Sequence, residues 1–140
     1  MGSAQGLSVL LDTNALIWLL EDSNALGARA DAEIERALRA NRLLTSAASF
    51  WEVAVLVAKK RLILDRPVLQ WRADALRAGV EEVPLNGEIA VEAVMLPDLH
   101  GDPGDRFIAA TAIRMQAALV TSDARLLAWK GPLVCIDARV

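Results

Sequence analysis

Residues 8–22 read "SVLLDTNALIWLLED". A short apolar run, Ser8 to Leu11, stops at an acid, Asp12, and the residues after it carry helical content. The stretch therefore predicts a strand, a turn at Asp12 and a helix. Strands that hand over directly to helices are the units from which parallel sheets are built.

The pattern returns downstream. "LLTS" (43–46) is strand-like and feeds a helix containing Glu52; "VEEVPL" (80–85) reads as a strand and "GEIAVEAVML" as a helix that Pro97 ends. "AALVTSD" (117–123) is another strand that stops at an acid, "ARLLAW" is a helical turn or two, and "PLVCID" is a last strand. Between them, "GARADAEIERALRANR" places Ile34, Ala37 and Leu38 on one helical face. Pro67 opens the helix "VLQWRADALRAG" and Gly79 closes it. "PDLHGDPGD" is turn chemistry, after which Asp105 starts the helix "RFIAATAIRMQ". Alternating strands and helices predict an α/β fold whose mainly parallel sheet is covered on both faces.

At 140 residues the chain has the length of one domain, and it shows no repeat, linker or low-complexity tract. A single domain over 1–140 is expected, with residues 1–6 as a flexible lead. Mean hydropathy is +0.33, yet runs such as "ALIWLL" and "VAVLVA" fall far short of the roughly 20 residues that span a bilayer. "MGSAQG" has no Lys or Arg and leads into a strand rather than a signal-peptide core, so a cytoplasmic location is expected. The one cysteine, Cys135, can form neither an internal disulfide nor a cysteine zinc site and reads as a structural thiol. A net charge of −3 argues against passive nucleic-acid binding. It leaves room for an enzyme that meets phosphates through cations held in an acidic pocket.

Asp12, Glu52, Asp105 and Asp123 all fall at strand-to-helix junctions. In open parallel sheets such junctions share one edge, outside the carboxyl ends of the strands, where ligands bind. Each aspartate also precedes a helical stretch and reads equally well as an N-cap, and Ser49 to Glu52 is a possible capping box. Glu52, however, stands among Phe50, Trp51, Val53, Ala54, Val55 and Leu56. A lone ionised carboxylate in such surroundings costs several kcal/mol unless it is paired or coordinates a metal. If the other acids are close, repulsion adds to that cost, and raised pKa values or divalent cations must relieve it. Oxygen ligands without His or Cys suit Mg²⁺, or Mn²⁺ in its place, and the reaction such a centre supports is phosphodiester hydrolysis.

"LLDTNALIWLL", "TSAASFWEVAVLVAKKRL", "LPDLHGDPGDRFIAATA" and "LVTSDARLL" together resemble the PIN-domain ribonucleases, specifically the VapC-type toxins of type II toxin-antitoxin pairs. The resemblance runs in order from about Val9 to the C-terminus. It implies a three-layer α/β/α sandwich with catalytic, metal-holding acids at Asp12, Glu52, Asp105 and Asp123. It further implies hydroxyls beside the first and last acids, Thr13 and Ser122, in supporting roles. Asn14 stands where this subfamily often has His, a departure that does not touch a carboxylate. An RNA substrate, a homodimer, and a small cognate antitoxin that wraps the toxin in a larger assembly are also implied.

Among single residues, Arg106 follows the third acid and reads either as a group that orients a carboxylate or phosphate, or as a surface ion-pair partner. His100 reads as a solvated loop residue, Asp102 as support for the D-P-G turn, and the cations at 59–61 as solvated partners of a helix dipole before guides for RNA phosphates. Trp18, Trp51, Trp71 and Trp129 read as core or interface anchors before base-stacking platforms. Two rival readings remain at this level. A receiver-like phospho-acceptor module would need a lysine near the pocket, and none follows Asp123 before Lys130. A catalytically silent PIN-like interaction domain is the other.

Overall fold

The computed structural model describes residues 6–140; most of the N-terminal lead, residues 1–5, lies outside the described residues. Five strands, β1 (Ser8–Leu11), β2 (Leu43–Ser46), β3 (Glu81–Val83), β4 (Ala117–Thr121) and β5 (Cys135–Asp137), form one sheet in the order β3-β2-β1-β4-β5. Every pairing is parallel, with Leu10 opposite Leu44 on one side and Leu119 on the other.

Among the described residues seven helices cover the sheet: α1 (Thr13–Leu20), α2 (Ala28–Arg39), α3 (Ala47–Ala58), α4 (Val68–Arg77), α5 (Gly87–Val94), α6 (Pro103–Arg114) and α7 (Ala124–Ala128). Alternation along the strands splits the core in two. Val9, Leu11, Leu43 and Val120 point to the layer holding Ala15, Ile34, Val53 and Trp71 of α1 to α4. Leu10, Leu44 and Leu119 point to the layer holding Ile89, Ile108 and Leu126 of α5 to α7. Strands buried on both faces explain why these segments read as continuous apolar runs. The result is the expected α/β/α sandwich, with a sheet that is wholly rather than mainly parallel.

The helix starts refine the expectations. Ser46, not Ser49, caps α3 by accepting from the Ala48 amide, so there is no Ser49–Glu52 capping box and Ser49 lies buried inside the helix. Asp102, not Asp105, caps α6, with Pro103 at the first helical position. Asp105 thereby moves into the first turn, and its side chain is free of capping duty. After α4 the chain turns at Gly79, whose φ of +107° favours glycine. Trp71 is fully buried, meets Phe50 edge-on with centroids 6.1 Å apart, and donates from Nε1 to Glu21 at 3.0 Å. No helix among the described residues is long and apolar enough to cross a membrane.

Candidate active site

The strand order reverses direction about β1, which has β2 and then β3 on one side and β4 and then β5 on the other. At such a switch point the loops leaving neighbouring strands diverge to opposite faces and open a crevice. Asp12 leaves β1, Glu52 lies on the helix after β2, Asp123 follows β4, and Asp105 comes from the first turn of α6. All four line one cleft of about 280 Å³, with Thr13, Asn14, Trp51, Val55, Leu56 and Ile108.

Local chemistry aims each acid. Asp12 caps α1 through Oδ1, which accepts from the Ala15 amide at 2.8 Å, and the residue is only 7% exposed. Capping and cleft lining are thus compatible in one residue. Glu52 Oε1 accepts from the Thr13 hydroxyl at 2.5 Å, and that hydroxyl stands 3.0 Å from the buried Ser49 Oγ. Thr13 so ties the first acid's helix to the second acid, the supporting place expected for it. Gly104 makes room for Glu52: a Cβ there would lie 2.4 Å from Oε2.

Asp105 Oδ2 lies 2.6 Å from His100 Nε2. This differs from the solvated role expected for His100, whose side chain is 15% exposed and whose Nδ1 is buried without a hydrogen-bond partner. The Nε2–H tautomer donating to the carboxylate satisfies this arrangement. Asp123 caps α7, accepting from the amides of Arg125 at 2.7 Å and Leu126 at 3.3 Å, while the Arg125 guanidinium reaches both Asp123 (3.1 Å) and Asp105 (3.5 Å).

Two supporting residues sit elsewhere than expected. The hydroxyl that opposes the rise in the Asp12 pKa is that of Thr121, the last residue of β4, rather than Ser122, and Thr121 Oγ1 also accepts from the Asp123 amide at 3.0 Å. Ser122 is buried and does not line the cleft. Arg106 turns away from the acids and is no surface ion-pair partner. Its guanidinium donates to the carbonyls of Ala93 (2.7 Å), Leu96 (3.2 Å), Leu99 (2.7 Å) and His100 (3.1 Å). It ties the turn-rich loop to α5 and α6 and so fixes the segment that carries His100.

Sequence reasoning passed over Thr121, Gly104 and Arg125. Signals for two of them stood in the text, a glycine packed into "DPGD" and a cation two residues after the last acid.

The electrostatics divide the cluster. Burial raises the pKa of Asp12, with the charges of Asp105 and Asp123 adding to it and bonds from Thr121 and Ala15 opposing. Burial likewise raises Glu52 and Asp105, helped by neighbouring acids and opposed by Thr13 and His100 respectively. Asp123 goes the other way. Burial pushes it up, but the side chain and amide of Arg125 and the amide of Leu126 outweigh burial and lower it.

A cluster held against its own repulsion is what a divalent cation relieves. Among the described residues, ligand atoms of His100, Asp105 and Asp123 lie within 4.8 Å of one another, and with His100 Nε2 donating to Asp105 it is the two carboxylates that this spacing offers to a cation. Oxygens at 2.0 to 2.6 Å from an ion span about that distance across it. Cys135, with its thiol pushed up to about 11 by burial and then by Asp12, has the low reactivity of a structural residue.

Asp12, Glu52 and Asp123 stand on connections that follow β1, β2 and β4, whereas Asp105, contrary to expectation, lies in the first turn of a helix that follows α5 and not a strand. A wholly parallel sandwich whose switch-point cleft gathers these four acids defines a PIN domain. The profile described as "PIN domain" matches residues 9–130, and the chain belongs to that family. Its sequence is 37% identical over 126 residues to Ribonuclease VapC22 of Mycobacterium tuberculosis, covering 89% of this chain and 94% of that protein, which places it with the VapC-type members. Among solved structures, a toxin-antitoxin complex from Klebsiella pneumoniae matches with a TM-score of 0.61 and 25% identity, over 94% of this chain and 98% of that one. VapBC2 from Rickettsia felis, solved bound to a promoter DNA fragment, matches with a TM-score of 0.62 and 17% identity, over 91% and 96% of the two chains. That likeness is one of fold.

Proposed function

We propose that the protein is a metal-dependent endoribonuclease, a single-domain, cytoplasmic toxin of a toxin-antitoxin pair. We assign Asp12, Glu52, Asp105 and Asp123 as the catalytic, metal-holding residues and Mg²⁺ as the cation, with Mn²⁺ able to replace it. The carrying observation is that three carboxylates of one cleft, Asp12, Glu52 and Asp105, are driven by burial and mutual repulsion toward protonation. Ordinary folding gains nothing from that arrangement. The resemblance to a ribonuclease over most of both chains supports the choice of RNA. The resemblance to a toxin-antitoxin complex supports an antitoxin as partner; a homodimer is part of the same proposal and rests on the motif resemblance to VapC-type toxins.

Bound at the carboxylates, a divalent cation supplies a water of lowered pKa and a countercharge for a phosphate oxygen. The protein's own residues do the rest. Asp12 and Glu52 present oxygens from the buried wall, with Thr13 fixing the orientation of Glu52. His100 fixes Asp105, and Arg106 fixes the loop that holds His100. Ile108, Val55 and Leu56 keep the surroundings apolar, which strengthens each electrostatic contact. No lysine lines the cleft, as a receiver-like module would require.

The test is incubation of the purified protein with defined RNAs in Mg²⁺, Mn²⁺ or chelator, with mapping of the cut ends. Cleavage at internal positions that chelator stops and that Asp105→Asn lacks is expected. Equal cleavage by the wild type with and without chelator would end the proposal.

A further inference from the structure

Helix α3 carries a feature that the acids leave unused. Trp51, next to Glu52, is 64% exposed, while Trp71 is fully buried and Trp18 and Trp129 pack against the two cores. With Val55 and Leu56 it forms an apolar wall in the cleft that the carboxylates line. Residues four apart share a helical face, so Trp51, Val55 and Lys59 form one row. Lys59 caps the helix with near-helical angles, φ −86° and ψ 6°, so the row holds to its end. Lys60 and Arg61 follow, and all three cations are exposed and make no ion pair among the described residues.

We infer that this face of α3 is a track for single-stranded RNA, with a nucleobase stacked on Trp51 and the backbone phosphates beyond it meeting Lys59 and its neighbours. The inference rests on the ribonuclease reading and adds where the substrate strand lies. A strand of nucleotides carries planar apolar faces and anions, and the row offers an aromatic face at one end and cations at the other. Trp51 and Lys59 stand about 12 Å apart along the axis, at about 1.5 Å per residue. Arg125, the cation beside the acids, is engaged by Asp123 and Asp105, so a phosphate backbone that leaves the cleft over the apolar wall meets its cations at Lys59 and its neighbours. A protein segment seated on the same wall would need the apolar part alone.

The experiment measures binding of a fluorescein-labelled oligoadenylate and of an abasic ribose-phosphate oligomer of equal length, by anisotropy, with Ca²⁺ as the divalent ion. Stacking on an aromatic ring contributes about 1–3 kcal/mol per base, so Trp51→Ala weakens oligoadenylate roughly 5- to 150-fold, and Trp51→Phe restores part of the loss. The abasic oligomer should not distinguish Trp51→Ala from wild type. Lys59→Ala should weaken both oligomers alike and reduce the salt slope by about 1. Because both side chains are exposed, the melting temperatures should match the wild type. If wild type cleaves RNA while both variants bind oligoadenylate as it does, the track is wrong and the ribonuclease reading stands. If Trp51→Ala instead shifts the oligomeric state in sedimentation without touching RNA affinity, the face belongs to a protein interface and the inference falls. A wild type that neither binds nor cleaves RNA removes both.

Discussion

Asp12 and Asp123 occupy equivalent places, each following a strand that flanks the switch point and each capping the next helix, yet they are opposite in electrostatic character. Asp12 is buried, takes its bonds from an amide and a hydroxyl, and is pushed up in pKa. Asp123 is more exposed, has the Arg125 guanidinium against it, and is held down. Topology brings acids to a shared edge, and burial and neighbouring cations then decide which of them a metal stabilises. The buried wall stores the repulsion that cation binding relieves, while the Asp123 side is already compensated and has less to gain.

The largest effect expected from this contrast is in cleavage. Asp12→Asn keeps the cap, since Asn caps as well as Asp, but removes a buried anion. It should lower single-turnover RNA cleavage by on the order of 10³-fold or more, about 4 kcal/mol at 1.36 kcal/mol per decade. Asp123→Asn should cost less, on the order of 10- to 100-fold, with circular dichroism unchanged in both. Equal losses would erase the distinction between the two sides.

The second effect is on stability without metal. A carboxyl whose pKa is higher in the folded state holds its proton more tightly there. Between the ordinary carboxylate value, about 4, and the raised value, the folded protein therefore binds more protons, and stability falls as pH rises through that window. Asp12, Glu52 and Asp105 all contribute this sign. Asp123 contributes the reverse, stability present above its unfolded value and lost as pH falls through its lowered one. In chelator, the urea midpoint of Asp12→Asn relative to wild type should thus rise from pH 4 to 7. Divalent ion at 100 times its Kd should return about 2.7 kcal/mol to the wild type alone. A flat difference between the two midpoints across that range would show that Asp12 carries no burial penalty.

Much of this was readable from the chain. The strands were legible because double-faced burial demands unbroken apolar runs, and the acids because Asp12 and Asp123 stop such runs, Glu52 interrupts one, and Asp105 closes the turn-rich "DPGD" before a helix. Boundaries shifted where two caps competed. Asp102 displaced Asp105 because Pro103 suits the first helical position, and Ser46 displaced Ser49 because the strand ends at Ser46. His100 and Arg106 were misjudged, and Thr121 passed over in favour of Ser122, for a different reason. Their partners are set by how a loop folds back on α6 or by which way the last strand residue faces, and no periodicity in the chain records either.

The smallest expected effect sharpens the contrast from its other side. Arg125 is well exposed and bridges Asp123 and Asp105, so it competes with any cation for the same oxygens. An exposed ion pair is screened by solvent and contributes little, which sets the scale of that competition. Arg125→Ala should therefore tighten metal binding, read by calorimetry, by up to about 5-fold, and it should raise the Asp123 pKa, read by carboxyl NMR titration, toward its ordinary value. Asp12, which makes no contact with Arg125 and feels it only through Asp105 and Asp123, should shift less than Asp123. If metal binding weakens instead, Arg125 organises the two acids rather than shielding them, and the compensated side of the cleft is as much a part of the binding apparatus as the buried one.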